Sequence, residues 1–146
     1  MIRRRNVSSN SGVLLSSRPT NQATITQLSR TTTTVTISFS FGNGNRRLVV
    51  IQKGDGSTAA VPKDGIVYAV MPIYGIGDDL GNLTYACFDT NHLNDYNNPE
   101  TSIIISNLKR GKTLYTIFIY EFNYTDTSYY NATITLANKK SFYTLL

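Results

Sequence analysis

The chain is poor in the residue types that most often carry catalytic or metal chemistry. It has one cysteine, Cys87, one histidine, His92, and no tryptophan. A single cysteine excludes an internal disulfide and a zinc site built on several cysteines. A Cys87–His92 dyad would need an exposed thiol, but Cys87 stands in an apolar-alternating segment, where a free cysteine usually packs as a small hydrophobe. We therefore expect no catalytic residue, no cofactor and no enzymatic activity.

Acidic residues are scarce in the first third of the chain, which makes the charge uneven. Residues 1–54 contain eight Lys or Arg and no acid, whereas residues 55–146 contain six Lys or Arg and nine acids, a balance of −3. Such asymmetry indicates an acidic partner, whether nucleic acid, membrane surface or acidic protein. We interpret residues 1–19 as an extended basic arm that ends at Pro19, and we predict partner contacts from its arginines: Arg3, Arg4, Arg5 and Arg18.

Long apolar runs are also lacking. The run Val13-Leu14-Leu15 is shorter than the roughly 7–15 apolar residues of an export signal. No later stretch approaches the roughly 18 apolar residues needed to cross a membrane. We therefore expect the basic arm to be retained and no membrane to be among the partners.

Five acids fall in or beside one loop-rich stretch and could cage calcium together with backbone carbonyls. They lack the spacing of a known calcium loop, so we expect solvated loop charges and no metal. These acids are Asp78, Asp79, Asp89, Asp95 and Glu100.

Residues 20–146 predict an all-β domain, because short apolar-alternating runs are separated by turn residues. Gly and Asn tolerate positive φ, so residues 42–45 predict a hairpin turn between the second and third strands. An edge strand at 67–70 is one reading of a less regular region, and residues 141–146 form either a terminal strand or a tail. The clear strands are predicted at 23–28, 34–41, 46–53, 84–89, 102–106, 114–122 and 133–136.

One motif carries a family resemblance. Leu108, Gly111, Thr113 and Tyr115 resemble the Leu-x-x-Gly-x-Thr-x-Tyr corner of fibronectin type III domains. The resemblance implies an immunoglobulin-like antiparallel β-sandwich in which the tyrosine bonds back to the chain upstream of it. Phe39 would stand where many relatives have a core tryptophan. Further segments resemble a variant common in bacterial surface proteins: Gly42-Asn43-Gly44, Arg47-Leu48-Val49-Val50, Pro62-x-Asp64-Gly65, Tyr68 and Tyr120-Glu121-Phe122-Asn123.

A shared sandwich implies no shared activity, so the function needs a separate hypothesis. The whole chain resembles the small auxiliary capsid, or decoration, proteins of tailed phages, including crAss-like phages. That resemblance implies a structural virion protein assembled in the host cytoplasm, with the major capsid protein or other virion subunits as partners. The alternatives are a secreted or cell-surface adhesion or carbohydrate-binding module of a bacterium, and a tail or baseplate component.

The tyrosine-rich segment 123–131 predicts a contact tip. Tyr124, Tyr129 and Tyr130 are expected at the end of the domain opposite the arm, where they would bind a host-surface glycan weakly. Packing of these rings on the rim of the sandwich is the alternative. The segment has no positive charge, so nucleic acid is not an expected partner. Lys109, Arg110 and Lys112 are interpreted as charges that decorate an exposed turn.

Overall fold

The computed structural model describes residues 17–90 and 100–146, and these residues form nine β-strands and no helix. No helix in the described residues could therefore cross a membrane. The strands are β1 (Thr24–Arg30), β2 (Val35–Ser40), β3 (Arg46–Lys53), β4 (Asp79–Gly81), β5 (Thr84–Thr90), β6 (Glu100–Ile105), β7 (Leu114–Tyr124), β8 (Ser128–Tyr130) and β9 (Lys139–Tyr143).

Two antiparallel sheets pack on one core, which confirms an all-β sandwich. The smaller sheet has the order β1-β2-β6, and the larger has the order β4-β5-β3-β7, with β7 pairing further with both β8 and β9. The alternating residues Val35, Ile37 and Phe39 of β2 are fully buried and face the larger sheet's Val49 and Ile117 in one cluster. The predicted period-two pattern of β2 is thereby confirmed.

The two central strands of the larger sheet, β3 and β7, are buried on both faces. Six successive residues of β3 and eight of β7 are buried, which is a continuous run and not an alternation. Strands covered on both faces have this pattern. The long connection between β3 and β4 supplies the second cover, because Ala59, Tyr68 and Val70 pack against a cluster that includes Phe118 and Tyr120.

The connection at 42–45 is not the predicted hairpin. Strand β2 pairs with β1 and β6, whereas β3 pairs with β5 and β7, so the chain crosses here from one sheet to the other. Positive φ is absent at residues 42–45. The glycines are needed for space, because a Cβ on Gly42 would lie 2.1 Å from the Asn21 carbonyl oxygen and one on Gly44 2.7 Å from the Phe122 oxygen.

The predicted strand at 133–136 is wrong, and the final strand is β9. Thr133 and Thr135 bond instead to the buried side chain of Asn138, which accepts from the Thr135 N–H at 2.7 Å and donates to the Thr133 oxygen at 3.1 Å. Such local side-chain bonds compete with a strand ladder, and Leu136 is 92% exposed. The predicted edge strand at 67–70 is also absent, since the Ala69 N–H bonds to the Asp78 carboxylate at 2.8 Å.

The predicted tyrosine corner is present in its local geometry. The Tyr115 hydroxyl accepts a hydrogen bond of 2.8 Å from the Lys109 N–H, six residues upstream. The turn reaches this position through three residues with positive φ: Asn107, Gly111 and Lys112. Phe39, expected in place of a core tryptophan, has no exposed surface.

Candidate partner surface at the arm root

The structure describes one of the four predicted partner-binding arginines, Arg18. Arg3, Arg4 and Arg5 lie outside the described residues, as does His92. Cys87 is free and fully buried, and burial raises the pKa of its thiol to about 12. Because the thiolate is the reactive form of cysteine, Cys87 has neither the access nor the ionisation that a nucleophile needs. Its predicted role as a small buried hydrophobe is confirmed.

Arg18 clamps the end of the arm onto the sandwich. Its guanidinium forms a two-pronged ion pair with the Asp64 carboxylate, with Nη1 to Oδ1 at 2.8 Å, and it also donates to the Tyr130 carbonyl oxygen at 2.9 Å. Asp64 Oδ1 in turn accepts from the Tyr130 N–H at 2.9 Å. Planar, two-pronged pairs of this kind fix geometry as well as add energy. The hydrogen bond from Arg18 lowers the pKa of Asp64, and the same bond raises that of Arg18.

The residue before Arg18 is held as well. The Asn123 side-chain amide donates to the Ser17 carbonyl oxygen at 2.7 Å, and its oxygen accepts from the Asn45 N–H at 3.0 Å. Asn45 then exchanges two 3.0 Å hydrogen bonds with the backbone of Tyr124. The arm root and the tyrosine-rich segment therefore lie at the same end of the domain. The predicted placement at opposite ends is wrong, because β7 runs on into a hairpin with β8 that passes beside the entering chain.

Tyr130 is not an outer contact, which corrects one of the three predicted tip residues. It is 1% exposed, its ring stacks on Phe122 with centroids 4.6 Å apart, and its hydroxyl donates to the Ile66 oxygen at 2.8 Å. Burial raises the pKa of this hydroxyl. The alternative interpretation, packing on the rim, is therefore the one that describes Tyr130.

Tyr124 and Tyr129 are half-buried, and each has an arginine over its ring. The guanidinium carbon of Arg46 lies 5.2 Å from the Tyr124 ring centre, and that of Arg18 lies 5.9 Å from the Tyr129 ring centre. Cation–π contacts at such distances hold a ring in one orientation. We call Ser17, Arg18, Asp64, Tyr124 and Tyr129 the arm-root surface. The sequence did not indicate a role in this surface for Asp64, which pairs with Arg18, or for Asn45, which bonds to the backbone of Tyr124.

The arginines that the structure describes at this end are neutralised by carboxylates. The three arginines found here each pair with a carboxylate: Arg18 with Asp64, Arg46 with Asp89 and Arg47 with Glu121. Burial raises the pKa of Asp89 despite its bond to Arg46, so desolvation outweighs the ion pair there. The arm-root surface is thus suited to a partner that offers hydrogen bonds and apolar contact, and it carries no excess charge for a polyanion.

The innermost pair, Arg47 and Glu121, supports the surface from below. Arg47 is 2% exposed and Glu121 fully buried, and two bonds of 2.8 and 2.9 Å join them. Both also bind Gly44, since Glu121 accepts from its N–H and Arg47 donates to its carbonyl oxygen, each at 2.9 Å. Gln22 accepts from the Glu121 N–H at 2.8 Å. This network ties the entering chain, the inter-sheet connection, β3 and β7 together.

The acids considered as calcium ligands do not share a site. Each one whose side chain the structure describes bonds to a different group. Asp78 accepts from the Ala69 N–H, Asp79 accepts from the Gly81 N–H at 2.8 Å, and Asp89 pairs with Arg46. Asp95 and the side chain of Glu100 lie outside the described part of the chain. Within residues 17–90 and 100–146, no three His, Cys, Asp or Glu side chains come together as metal ligands.

The chain matches no known protein-family model, no curated protein and no solved structure with which it was compared.

Proposed function

We propose that this protein is a non-enzymatic structural component of a virion, an auxiliary capsid protein that binds its shell through the basic arm and presents an immunoglobulin-like domain of the fibronectin type III kind. The observation that carries the proposal is the clamp at Ser17 and Arg18. It fixes Ser17 and Arg18, the described end of the arm, beside Tyr124 and Tyr129.

The order of the strands supports the immunoglobulin-like part of the proposal. The first, second and sixth strands share one sheet, and the third, seventh and ninth lie side by side in the other. This is the A-B-E and C-F-G arrangement of immunoglobulin-type sandwiches. The back-bond of Tyr115 to Lys109 supports it further.

The composition of the arm-root surface supports a protein partner. Tyrosine and arginine are enriched at the centres of protein interfaces, where rigid aromatic groups lose little entropy on binding. Here the rings of Tyr124 and Tyr129 are held in place by arginines that are themselves paired. An arm and a surface that bind the same shell side by side would act as linked contacts, and the second contact then forms at a high effective concentration. The end with the arm therefore faces the shell.

The first test asks whether the protein is in particles and where. Virus particles purified by density gradient from the organism that carries the sequence are analysed by mass spectrometry and by immunogold labelling. The proposal expects the chain as a multi-copy component and gold on the head. Gold on the tail would support the baseplate alternative, and absence from particles would overturn a virion role.

The second test examines the orientation with purified protein and particles that lack it. A Tyr124→Ala/Tyr129→Ala variant and a chain without residues 1–16 should both lose binding while keeping the sandwich folded. The matched control is Tyr143→Ala, since Tyr143 is 55% exposed on β9 near the other end of the domain. Equal binding by the control and the double variant would contradict the assignment of the shell-facing end.

A further inference from the structure

The end of the domain opposite the arm root gathers cations from two separate parts of the sequence. The final segment of the chain runs between these two parts: the Leu145 N–H donates to the Thr31 oxygen at 3.1 Å, and the Leu145 oxygen accepts from the Gly111 N–H at 3.0 Å. Arg30 donates to the Tyr143 oxygen at 2.6 Å, on the same segment. The turn after Leu108 is thereby placed next to the end of β1. We call Arg30, Lys109, Arg110 and Lys112 the basic end.

No salt bridge within the described residues involves the basic end. All four side chains belong to exposed residues. The three salt bridges of the described residues all involve the other cations Arg18, Arg46 and Arg47. The three salt-bridged arginines therefore lie at the arm-root end, whereas the four cations of the basic end lie at the opposite end and form no salt bridge within the described residues.

An exposed aromatic ring lies on the same end. Tyr143 is 55% exposed, its backbone holds Arg30, and its neighbour Thr144 donates to the Lys109 oxygen at 2.7 Å. An aromatic ring and several cations at one end of the domain can bind two parts of the same ligand, since the ring stacks on a sugar and the cations bind acidic substituents. We propose that the basic end binds an acidic polysaccharide, with Tyr143 as the stacking residue and Arg30, Lys109, Arg110 and Lys112 as the charge contacts.

The shape of the basic end favours a polysaccharide over a nucleic acid. Single-stranded nucleic acids are bound in grooves with aromatic rings for successive bases, and duplexes by a helix or ribbon that enters a groove. The basic end offers one exposed ring, Tyr143 at the end of β9. A flexible chain with regularly spaced acidic groups can follow such a surface. Segments rich in Lys and Arg occur in heparin-binding and in nucleic-acid-binding patches, so the single exposed ring is the feature that favours the polysaccharide. This inference does not depend on the proposed virion role.

The test measures binding of a fluorescein-labelled heparin oligosaccharide to the purified full chain by fluorescence anisotropy. The decisive variant is Lys109→Gln/Arg110→Gln/Lys112→Gln, and its matched control is Lys63→Gln/Lys139→Gln/Lys140→Gln, which removes the same net charge elsewhere. Because each exposed ion contact is worth about a factor of five in water, we expect the first variant to bind at least about tenfold more weakly. The control should lose less than about threefold, because charges distant from the ligand are screened.

Two further measurements separate the ring from the charges. Tyr143→Ala is expected to weaken heparin binding about fivefold, the size expected for one ring removed from a sugar face. Binding should disappear for every form at about 1 M salt, where the screening length is about 3 Å. Circular dichroism and the urea midpoint establish that each variant is folded.

Three results would overturn the inference. Equal losses in the two triple variants would mean that net charge alone attracts heparin. Tighter binding of a single-stranded DNA oligonucleotide than of heparin, lost in the same first variant, would assign the basic end to nucleic acid. No heparin binding by the unmodified chain at low salt would remove the proposed activity altogether.

Discussion

Replacing Glu121 by Gln tests whether the ion pair beneath the arm-root surface is as fully desolvated as its geometry indicates. Arg47 is 2% exposed and its partner has no exposed surface. The substitution keeps the shape of the side chain but removes the carboxylate charge that forms two hydrogen bonds with the buried guanidinium. Breaking a buried pair in this way typically costs about 3–5 kcal/mol of unfolding free energy. For a chain of this length such a loss lowers the melting temperature by about 10 °C or more.

The surrounding bonds refine this magnitude. Replacing both partners by apolar residues is often neutral or stabilising, but here the pair also binds the N–H and the carbonyl oxygen of Gly44. Leaving those two groups without partners costs about 1–3 kcal/mol each. The Arg47→Met/Glu121→Leu variant is therefore expected to be less stable than the unmodified chain, yet more stable than the sum of the two single changes implies.

Equilibrium urea unfolding of the unmodified chain, Arg47→Met, Glu121→Leu and Arg47→Met/Glu121→Leu completes a double-mutant cycle, and Glu121→Gln is measured beside them. We expect a lower midpoint with an unchanged m-value for each variant, and a coupling energy of about 3 kcal/mol or more between Arg47 and Glu121. A Glu121→Gln loss below about 1 kcal/mol is the value of a solvated surface pair. That result would refute the conclusion that this network is desolvated and holds the arm root to the sheet.

Two tyrosines of β7 form a matched pair of tests. Tyr115→Phe should lower the unfolding free energy by about 1–2 kcal/mol, because it leaves the Lys109 N–H without its acceptor. Tyr120→Phe should lower the unfolding free energy less or raise it, because the Tyr120 hydroxyl bonds to no group in the described residues. Equal losses of unfolding free energy for the two variants in urea unfolding would contradict a stabilising contribution from the Tyr115–Lys109 hydrogen bond. Carboxyl NMR titration should give Asp64 a midpoint below the ordinary value and Asp89 one above it. Because the pKa of Asp64 is lowered by folding, the stability from its pair with Arg18 is complete above about pH 4, the unfolded value, and is lost as the pH falls below it. The pKa of Asp89 is raised by folding, so its contribution to stability is complete below about pH 4, the unfolded value, and is lost as the pH rises through the folded value. A folded midpoint below the ordinary value would show instead that the ion pair with Arg46 outweighs desolvation.

The sequence by itself determined the fold class and most of the strands. Alternation at Val35, Ile37 and Phe39 predicts one buried face, and the largely apolar segment 114–122 predicts a strand, because these patterns depend only on the two-residue period of a strand and on burial. The back-bond of Tyr115 also followed from its motif, since its donor is only six residues away. The burial of Cys87 followed from its strand in the same way.

Only the tertiary structure decided which parts of the surface lie together. Arg18 and Asp64 are 46 residues apart, and Ser17 and Asn123 are 106 apart, so no local pattern could pair them. The direction of β7 places its hairpin beside the entering arm, and this reversed the predicted orientation of the tyrosine-rich segment. The basic end likewise joins Arg30 to Lys109 through the backbone of Tyr143 and Leu145. Distances along the chain say little about such contacts, because they are set by which strands pair and which face each side chain takes.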